Sequence, residues 1–241
     1  MELAGKAVLI TGAGVRIGRA LALGLAQEGM SVVVHYNSSA TEAEEVVREI
    51  EAMGCEAIAV QADLRDMARL PALVDAGVER FGHLDVLINS ASIFERGTIE
   101  STDEENWERH FDINIKAPFF LCQAFGRRLQ PEQRGHIINI ADWRVQRPGT
   151  QYMAYSLTKS ALVTLTMSLA VALAPNVQVN ALGPGAILPP PNDDGYFDRL
   201  VERLPLRRTG SPEEVVLAVR YLLQSDFTTG ELLCMTGGEH L

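Results

Sequence analysis

Tyr155 and Lys159 form the pattern Y-x-x-x-K, which places a phenol and an ammonium on one face of a helix, one turn apart. A free phenol has a pKa of about 10, and a neighbouring cation favours the phenolate, bringing the group towards acid–base chemistry at neutral pH. The pair also fits an ordinary helix surface when taken alone. A second candidate lies near the N-terminus. The run Thr11-Gly12-Ala13-Gly14-Val15-Arg16-Ile17-Gly18 follows a short apolar segment and opens into Arg19-Ala20-Leu21. Glycines there permit a tight turn and the close approach of a pyrophosphate to a helix N-terminus. Arg16 adds a guanidinium for a charge-assisted contact with phosphate, 2′-phosphate or substrate. A plain strand-to-helix turn is the competing reading, and the place of the run after the first strand favours the nucleotide. At the end of the second apolar run stands His35-Tyr36-Asn37-Ser38-Ser39. An NAD-binding domain carries a carboxylate there for the ribose 2′-hydroxyl. Its absence, together with Arg16, predicts NADPH, although Asn37-Ser38-Ser39 also reads as a turn.

These groups must be positioned by the elements between them. Short apolar runs rich in β-branched residues recur at 6–11, 31–36, 57–61, 85–89, 136–140, 178–181 and 232–235, each reading as a buried strand. Segments with helical spacing separate them at 17–28, 41–53, 67–81, 103–129, 152–173 and 212–223. Pro212 behind Ser211, with Glu213 and Glu214, marks a helix start. The alternation predicts an α/β fold of about seven parallel strands, a Rossmann-type doubly wound sheet with helices on both faces, as one domain over residues 1–241. Ligands in such sheets bind beyond the carboxyl ends of the strands. The 241 residues, 47% hydrophobic and 22% charged, suit a globular core, and the formal charge of −10 argues against nucleic acid as a partner. Three scattered cysteines, Cys55, Cys122 and Cys234, suit a reducing compartment, and no leader or membrane span is evident, so a cytoplasmic protein is expected. The five histidines lack metal-ligand spacing, so no metal is expected.

Taken together, the glycine loop, Asp63-Leu64, Asn89-Ser90-Ala91-Ser92, Asn114, Tyr155 with Lys159, and Pro184-Gly185 resemble the short-chain dehydrogenases/reductases along the whole chain. That resemblance implies that Gly12, Arg16, Ile17 and Gly18 hold the pyrophosphate side of NADPH. It gives Tyr36, Asn37, Ser38 and Ser39 the 2′-phosphate side, and Asp63 and Leu64 the adenine. It sets Asn89, Ser90 and Ala91 beside the adenosine ribose, Tyr155 and Lys159 on the nicotinamide ribose, and Pro184, Gly185 and Ile187 at the far end. Asn114 corresponds to a residue that holds a relay water next to the lysine, with a cap or buried amide as the competing role. Residues 186–195, which contain three consecutive prolines, would cover the substrate or form an ordinary exposed connection.

One position departs from the family. Thirteen residues before Tyr155, where most members have a serine that donates to a ketone oxygen, stands Asp142. An ionised carboxylate cannot donate; it repels charge on a carbonyl oxygen but accepts from N–H or stabilises a proton arriving on a ring nitrogen. This favours C=N reduction. Pteridine reductases and dihydromonapterin reductases share Asp here, and the chain also resembles them at Arg16-Ile17-Gly18, His35-Tyr36, Asn89 to Phe94 and Tyr152-Met153-Ala154-Tyr155. The resemblance implies that Phe94 stacks on a pterin and that Arg16, Ser92 and Tyr152 line its pocket. Ser38 replaces an arginine found in trypanosomatid pteridine reductases, so the grip on the 2′-phosphate differs, and Phe94 and Tyr152 also read as core aromatics. The expected reaction is hydride transfer from NADPH to a small-molecule dihydropterin with Tyr155, Lys159, Asp142 and Asn114 as catalytic residues, in a homotetramer. A 3-oxoacyl-acyl-carrier-protein reductase or other carbonyl reductase is the alternative, and a non-catalytic NADPH-binding regulator a remote one.

Overall fold

A computed structural model of the chain describes residues 1–189 and 195–241. Its strands are β1 (Ala7–Ile10), β2 (Ser31–Tyr36), β3 (Ala57–Gln61), β4 (Val86–Asn89), β5 (Gly135–Ile140), β6 (Val177–Pro184) and β7 (Leu232–Met235). They pair in parallel in the order β3-β2-β1-β4-β5-β6-β7. The helices are α1 (Arg16–Gln27), α2 (Ala40–Ala52), α3 (Leu70–Phe81), α4 (Glu104–Phe111), α5 (Ala117–Arg128), α6 (Met153–Ala172), α7 (Tyr196–Val201) and α8 (Pro212–Gln224).

The strands read as unbroken apolar runs because both faces of the sheet are covered. In β1, Val8 and Ile10 point into one core with Leu21 and Leu25 of α1 and Val219 and Leu222 of α8. Ala7 and Leu9 point into the other, with Leu73 and Val74 of α3 and Leu121 and Phe125 of α5. The strand order reverses between β1 and β4, and the crevice beyond their carboxyl ends is where such a sheet receives a ligand.

Three segments differ from the sequence expectation. The long helix expected over 103–129 is interrupted by a π turn at Asp112–Lys116. Pro118 lacks the N–H that would bond the carbonyl of Asn114, so the regular ladder cannot run through this point. The segment expected over 67–81 begins as a 3₁₀ turn, Met67–Arg69, held by the Asp66 side chain accepting from Ala68 N–H, before α3 starts with Pro71 in its first turn. β6 runs on to Pro184, because Leu182, Gly183 and Pro184 pair with Leu233, Cys234 and Met235. A proline ends a strand where its missing donor is not needed. Helix α7 has six residues, too few to show a helical period in sequence. Of the expected covering loop over 186–195, residues 190–194, with Pro190 and Pro191, lie outside the described residues. Among those described, no helix is long and apolar enough to cross a membrane, and no His/Cys/Asp/Glu group is arranged to hold a metal.

Two buried histidines tie stability to pH. His35 accepts the Gly12 N–H on Nδ1 at 3.1 Å, and its Nε2 lies 3.1 Å from the Ala62 carbonyl. Burial lowers its pKa to about 4 against the opposing Ala62 bond. His136 is lowered to about 4, chiefly by burial and then by the N-terminal ammonium. Each protonates at about 6.5 once unfolded, so the unfolded chain binds more protons between those values and stability falls as pH drops through 6.5 towards 4. Thermal melts are expected to lose on the order of 1–2 kcal/mol per histidine between pH 7.5 and 5, with a flatter slope in His136→Gln. A flat wild-type profile over that range would contradict the neutral assignments.

Candidate active site

The turn after β1 depends on backbone conformations that favour glycine. Gly12 has φ +66°, and a Cβ there would meet Ala91 Cα at 3.0 Å. A Cβ on Gly18 would overlap the Gly12 carbonyl, and one on Gly14 would press on α2 at Ala43 N, 3.3 Å away. Arg16 takes a left-handed φ of +53°, which is costly for a residue that carries a Cβ. The guanidinium donates to the Pro189 carbonyl at 3.2 Å, joining the glycine turn to the segment after β6. Thr11 Oγ1 accepts from Ser90 N–H and Ala91 N–H, both at 3.0 Å, so the ends of β1 and β4 are clipped together. Helix α1 starts behind Val15, with no side-chain cap and no acid in its first turn. Its first N–H groups are therefore open to an anion, and the small glycine surfaces leave backbone accessible above them. The turn fits a dinucleotide pyrophosphate.

A cavity of about 420 Å³ extends from this turn across the sheet edge. It brings together Gly12, Arg16, Ile17, Gly18, Tyr36, Asn37, Ser38, Ser39, Ser90, Ala91, Ser92, Phe94, Asp142, Tyr155, Lys159, Pro184, Gly185 and Ile187 from the sequence expectation. Five expected residues do not line it. The Asp63 carboxylate is bridged by Arg65 at 2.6 Å, which holds its pKa below the usual range, and Leu64 is buried. Asn89 is buried, donating to Asn139 Oδ1 at 2.8 Å and to Cys122 Sγ at 3.4 Å, so its side chain points to the core. Tyr152 stands behind Phe94, the rings stacked at 4.1 Å. Asn114, at the π turn, donates to the Ile93 carbonyl and to Thr158 Oγ1 and accepts from Ile93 N–H and Ser92 Oγ. These bonds pin the segment after β4 to α6, and Lys159 Nζ donates to the Ile140 carbonyl at 2.7 Å.

At the centre, the Tyr155 hydroxyl donates to Asp142 Oδ2 at 2.7 Å, both groups being buried. Burial raises the Tyr155 pKa well above that of a free phenol, and the Asp142 charge raises it further, against Arg144. This reverses the expectation that the neighbouring lysine favours phenolate. Lys159 is itself buried, and its pKa falls to about 8, with Asp142 opposing the fall. Tyr155 is therefore a held proton, suited to donation.

Sequence reasoning missed Arg144. Its backbone N–H and guanidinium reach Asp142 at 2.8 and 3.1 Å, and the guanidinium carbon lies 5.8 Å from the centre of the Phe94 ring. A cation two residues after an unexpected carboxylate was the available signal. Gly14, Val15, Ile140, Ala141 and Leu188 also line the cavity and were not singled out.

The chain matches the short chain dehydrogenase family over residues 6–195. It is 37% identical to an uncharacterized oxidoreductase of Methylorubrum extorquens across 98% of each chain. It is 34% identical to a 3-oxoacyl-acyl-carrier-protein reductase of Synechocystis sp., over 98% of this chain and 97% of the relative. The solved structure of FolM alternative dihydrofolate reductase 1 from Brucella canis, complexed with NADP, is similar at a TM-score of 0.93 and 37% identity, covering 100% of this chain and 96% of that one. The chain belongs to the short chain dehydrogenase family and is an oxidoreductase of that family.

Proposed function

We propose that the protein is an NADPH-dependent reductase of a dihydropterin, adding a hydride to C6 and a proton to N5 of the C=N bond. The observation that carries this reading is the buried Asp142 carboxylate accepting the Tyr155 hydroxyl, in the place where a ketone reductase needs a donor. The open N–H groups of α1 and the glycine turn would hold the pyrophosphate, with Tyr36, Asn37, Ser38 and Ser39 on the 2′-phosphate side, where no carboxylate stands. NADPH, when bound, supplies the hydride.

The chain's own residues manage the proton. Asp142 keeps the Tyr155 proton inside the site until a substrate nitrogen is presented, and Arg144 offsets the charge of Asp142. As Tyr155 gives up its proton to N5, negative charge grows beside a carboxylate; Lys159 and Arg144 are the cations that oppose the repulsion. Phe94, half exposed and backed by Tyr152, offers a flat face to the pterin, and Ser92, tied to Asn114, borders it. A second reading, reduction of a 3-oxoacyl thioester, is favoured by the relatives that bear that name. We also propose a homotetramer, because Trp107, Phe119, Phe120, Leu157, Met167 and Val171 leave apolar surface exposed on α4, α5 and α6.

NADPH oxidation followed with dihydrobiopterin, dihydromonapterin and dihydrofolate, in parallel with an acetoacetyl thioester, separates the two readings. Pterin turnover reduced about 100-fold or more in Asp142→Ser is expected; turnover of the thioester alone would overturn the pterin reading. Gly18→Ala should weaken NADPH binding at least roughly tenfold in a fluorescence titration, since its Cβ overlaps the Gly12 carbonyl. Unaltered binding would exclude the glycine turn as the phosphate site. With Lys159 needed as a cation, kcat is expected to fall above about pH 8. A rate constant level to pH 10 would remove Lys159 from the proton step.

A further inference from the structure

The far side of Asp142 and Arg144 opens on a second cavity, of about 440 Å³, where Arg144 and Arg147 face Glu239. Glu239 stands on a turn over 236–241 that is fastened in place. Gly237 and Gly238 take φ of +61° and +91°, and a Cβ on Gly238 would overlap Pro205. The Gly238 N–H donates to Thr236 Oγ1 at 3.2 Å, the Glu239 N–H to the Thr236 carbonyl at 3.1 Å, and the Leu206 N–H to the Gly237 carbonyl at 3.1 Å. The Glu239 carboxylate rests on Gly185: a Cβ there would lie 3.1 Å from Oε2, and Gly185 also lines the first cavity. Arg144 lines both cavities. We propose that Glu239 is a positioning residue for the proton step: as the second carboxylate facing Arg144, it sets how fully that guanidinium offsets Asp142, and so how readily Tyr155 releases its proton. The inference deepens the proton step proposed above and rests on that reading.

The charges give the direction. Arg144 bonds Asp142 at 3.1 Å, and Asp142 accepts the Tyr155 hydroxyl at 2.7 Å, so the guanidinium is one partner away from the proton that moves. With Glu239 neutral, Arg144 and Asp142 balance. With Glu239 ionised, a negative charge is left over beside a phenol that must itself become negative, which opposes donation. Glu239 is half-buried. Burial raises its pKa above the ordinary glutamate value, Arg144 opposing the rise and Asp142 adding to it. The other titratable groups around it are Arg147 and Tyr152 across the cavity and His240, whose Nδ1 lies 2.7 Å from Thr236 Oγ1; Tyr196 of α7 acts on Arg144. Both arginines keep their charge throughout. Tyr155 donates best while Glu239 is protonated, so donation weakens as pH rises through the Glu239 pKa.

Single-turnover NADPH oxidation with dihydrobiopterin reads the proton step at pH 5 and pH 7.5. In Glu239→Gln the ratio of the rate at pH 5 to that at pH 7.5 should fall about 2- to 5-fold from that of the unaltered chain, as for one charge several Å away near the surface. Glu239→Asp, which keeps the ionisable group, should restore most of the ratio, whereas a tail that served folding alone would change the melting temperature and leave the ratio unmoved. An equal ratio in the unaltered chain and Glu239→Gln, with the pterin still reduced, overturns the role of Glu239 and leaves the dihydropterin reading standing. Absence of pterin reduction counts against that reading instead, and Glu239 is then decided without a substrate, by carbon-13 NMR titration of its carboxyl group. Coupling between charges is reciprocal, so the midpoint should rise by about 0.5 pH or more in Arg144→Gln and fall by a similar amount in Asp142→Asn. A midpoint unmoved by Arg144→Gln overturns the proposal.

Discussion

The hydrogen bond from Tyr155 to Asp142 is the constraint around which the site is built. Removing a carboxylate from water costs several kcal/mol unless it is met by partners, and leaving a buried ion unpaired typically costs about 3–5 kcal/mol. Asp142 is met three times: by the Tyr155 hydroxyl, the Arg144 guanidinium and the Arg144 backbone N–H. Each partner is thereby fixed. Tyr155 keeps its proton, Arg144 is held against the Phe94 face, and the 3₁₀ turn at Trp143–Val145 begins under an Asp142 cap. One carboxylate at the end of β5 thus sets proton inventory, charge balance and the local path of the chain.

That arrangement needs β5 and α6 in register with the strands that carry the glycine turn. Asn89 and Asn139 are directly opposed on β4 and β5 and joined at 2.8 Å, and Asn139 donates on to Thr166 of α6 at 2.9 Å. This buried polar line ties sheet to helix at the depth where Lys159 and Tyr155 project. A one-residue slip would bury the wrong face and break every bond in it. Asn114 performs the matching task from the other side, where it lies within the π turn and bonds the backbone of Ile93. His35 does so for the glycine turn, accepting from Gly12 while its ring is held near Ala62. The site is supported by neutral amides and imidazole, whose hydrogen bonds survive burial without an ion's desolvation penalty.

Much of this was legible in sequence, for identifiable reasons. Strands covered on both faces are apolar without interruption, so β2, β3 and β7 were read with the observed ends. The glycine turn and the Tyr155–Lys159 spacing are local patterns, and the cavity does gather them. What could not be read depends on distance in space. The breaks at 67–69 and 112–116 follow from proline positions whose effect depends on which carbonyl loses its donor. The direction of the Tyr155 pKa turned on its own burial and on the charge of Asp142 against it, neither of which the Tyr–Lys spacing reveals. Arg144 escaped because its importance lies in its partner.

Family membership and substrate are decided by different residues. The sheet order, the glycine turn and the Tyr–Lys pair accommodate relatives whose names range from a 3-oxoacyl-acyl-carrier-protein reductase to an alternative dihydrofolate reductase, at 34% and 37% identity. Identities so close cannot rank the substrates, since one fold hosts many of them. Discrimination must come from groups that the common frame leaves free to vary. In the function proposed above those are the side chain at 142, the aromatic pair Phe94 and Tyr152, and Arg144. A carboxylate that accepts rather than donates penalises a developing alkoxide, which has only lone pairs to offer, and tolerates a nitrogen that arrives with or acquires a proton. On the proposed dihydropterin reading the selection is made by repulsion as much as by attraction, and it is exerted by a group whose burial forbids it to relax away.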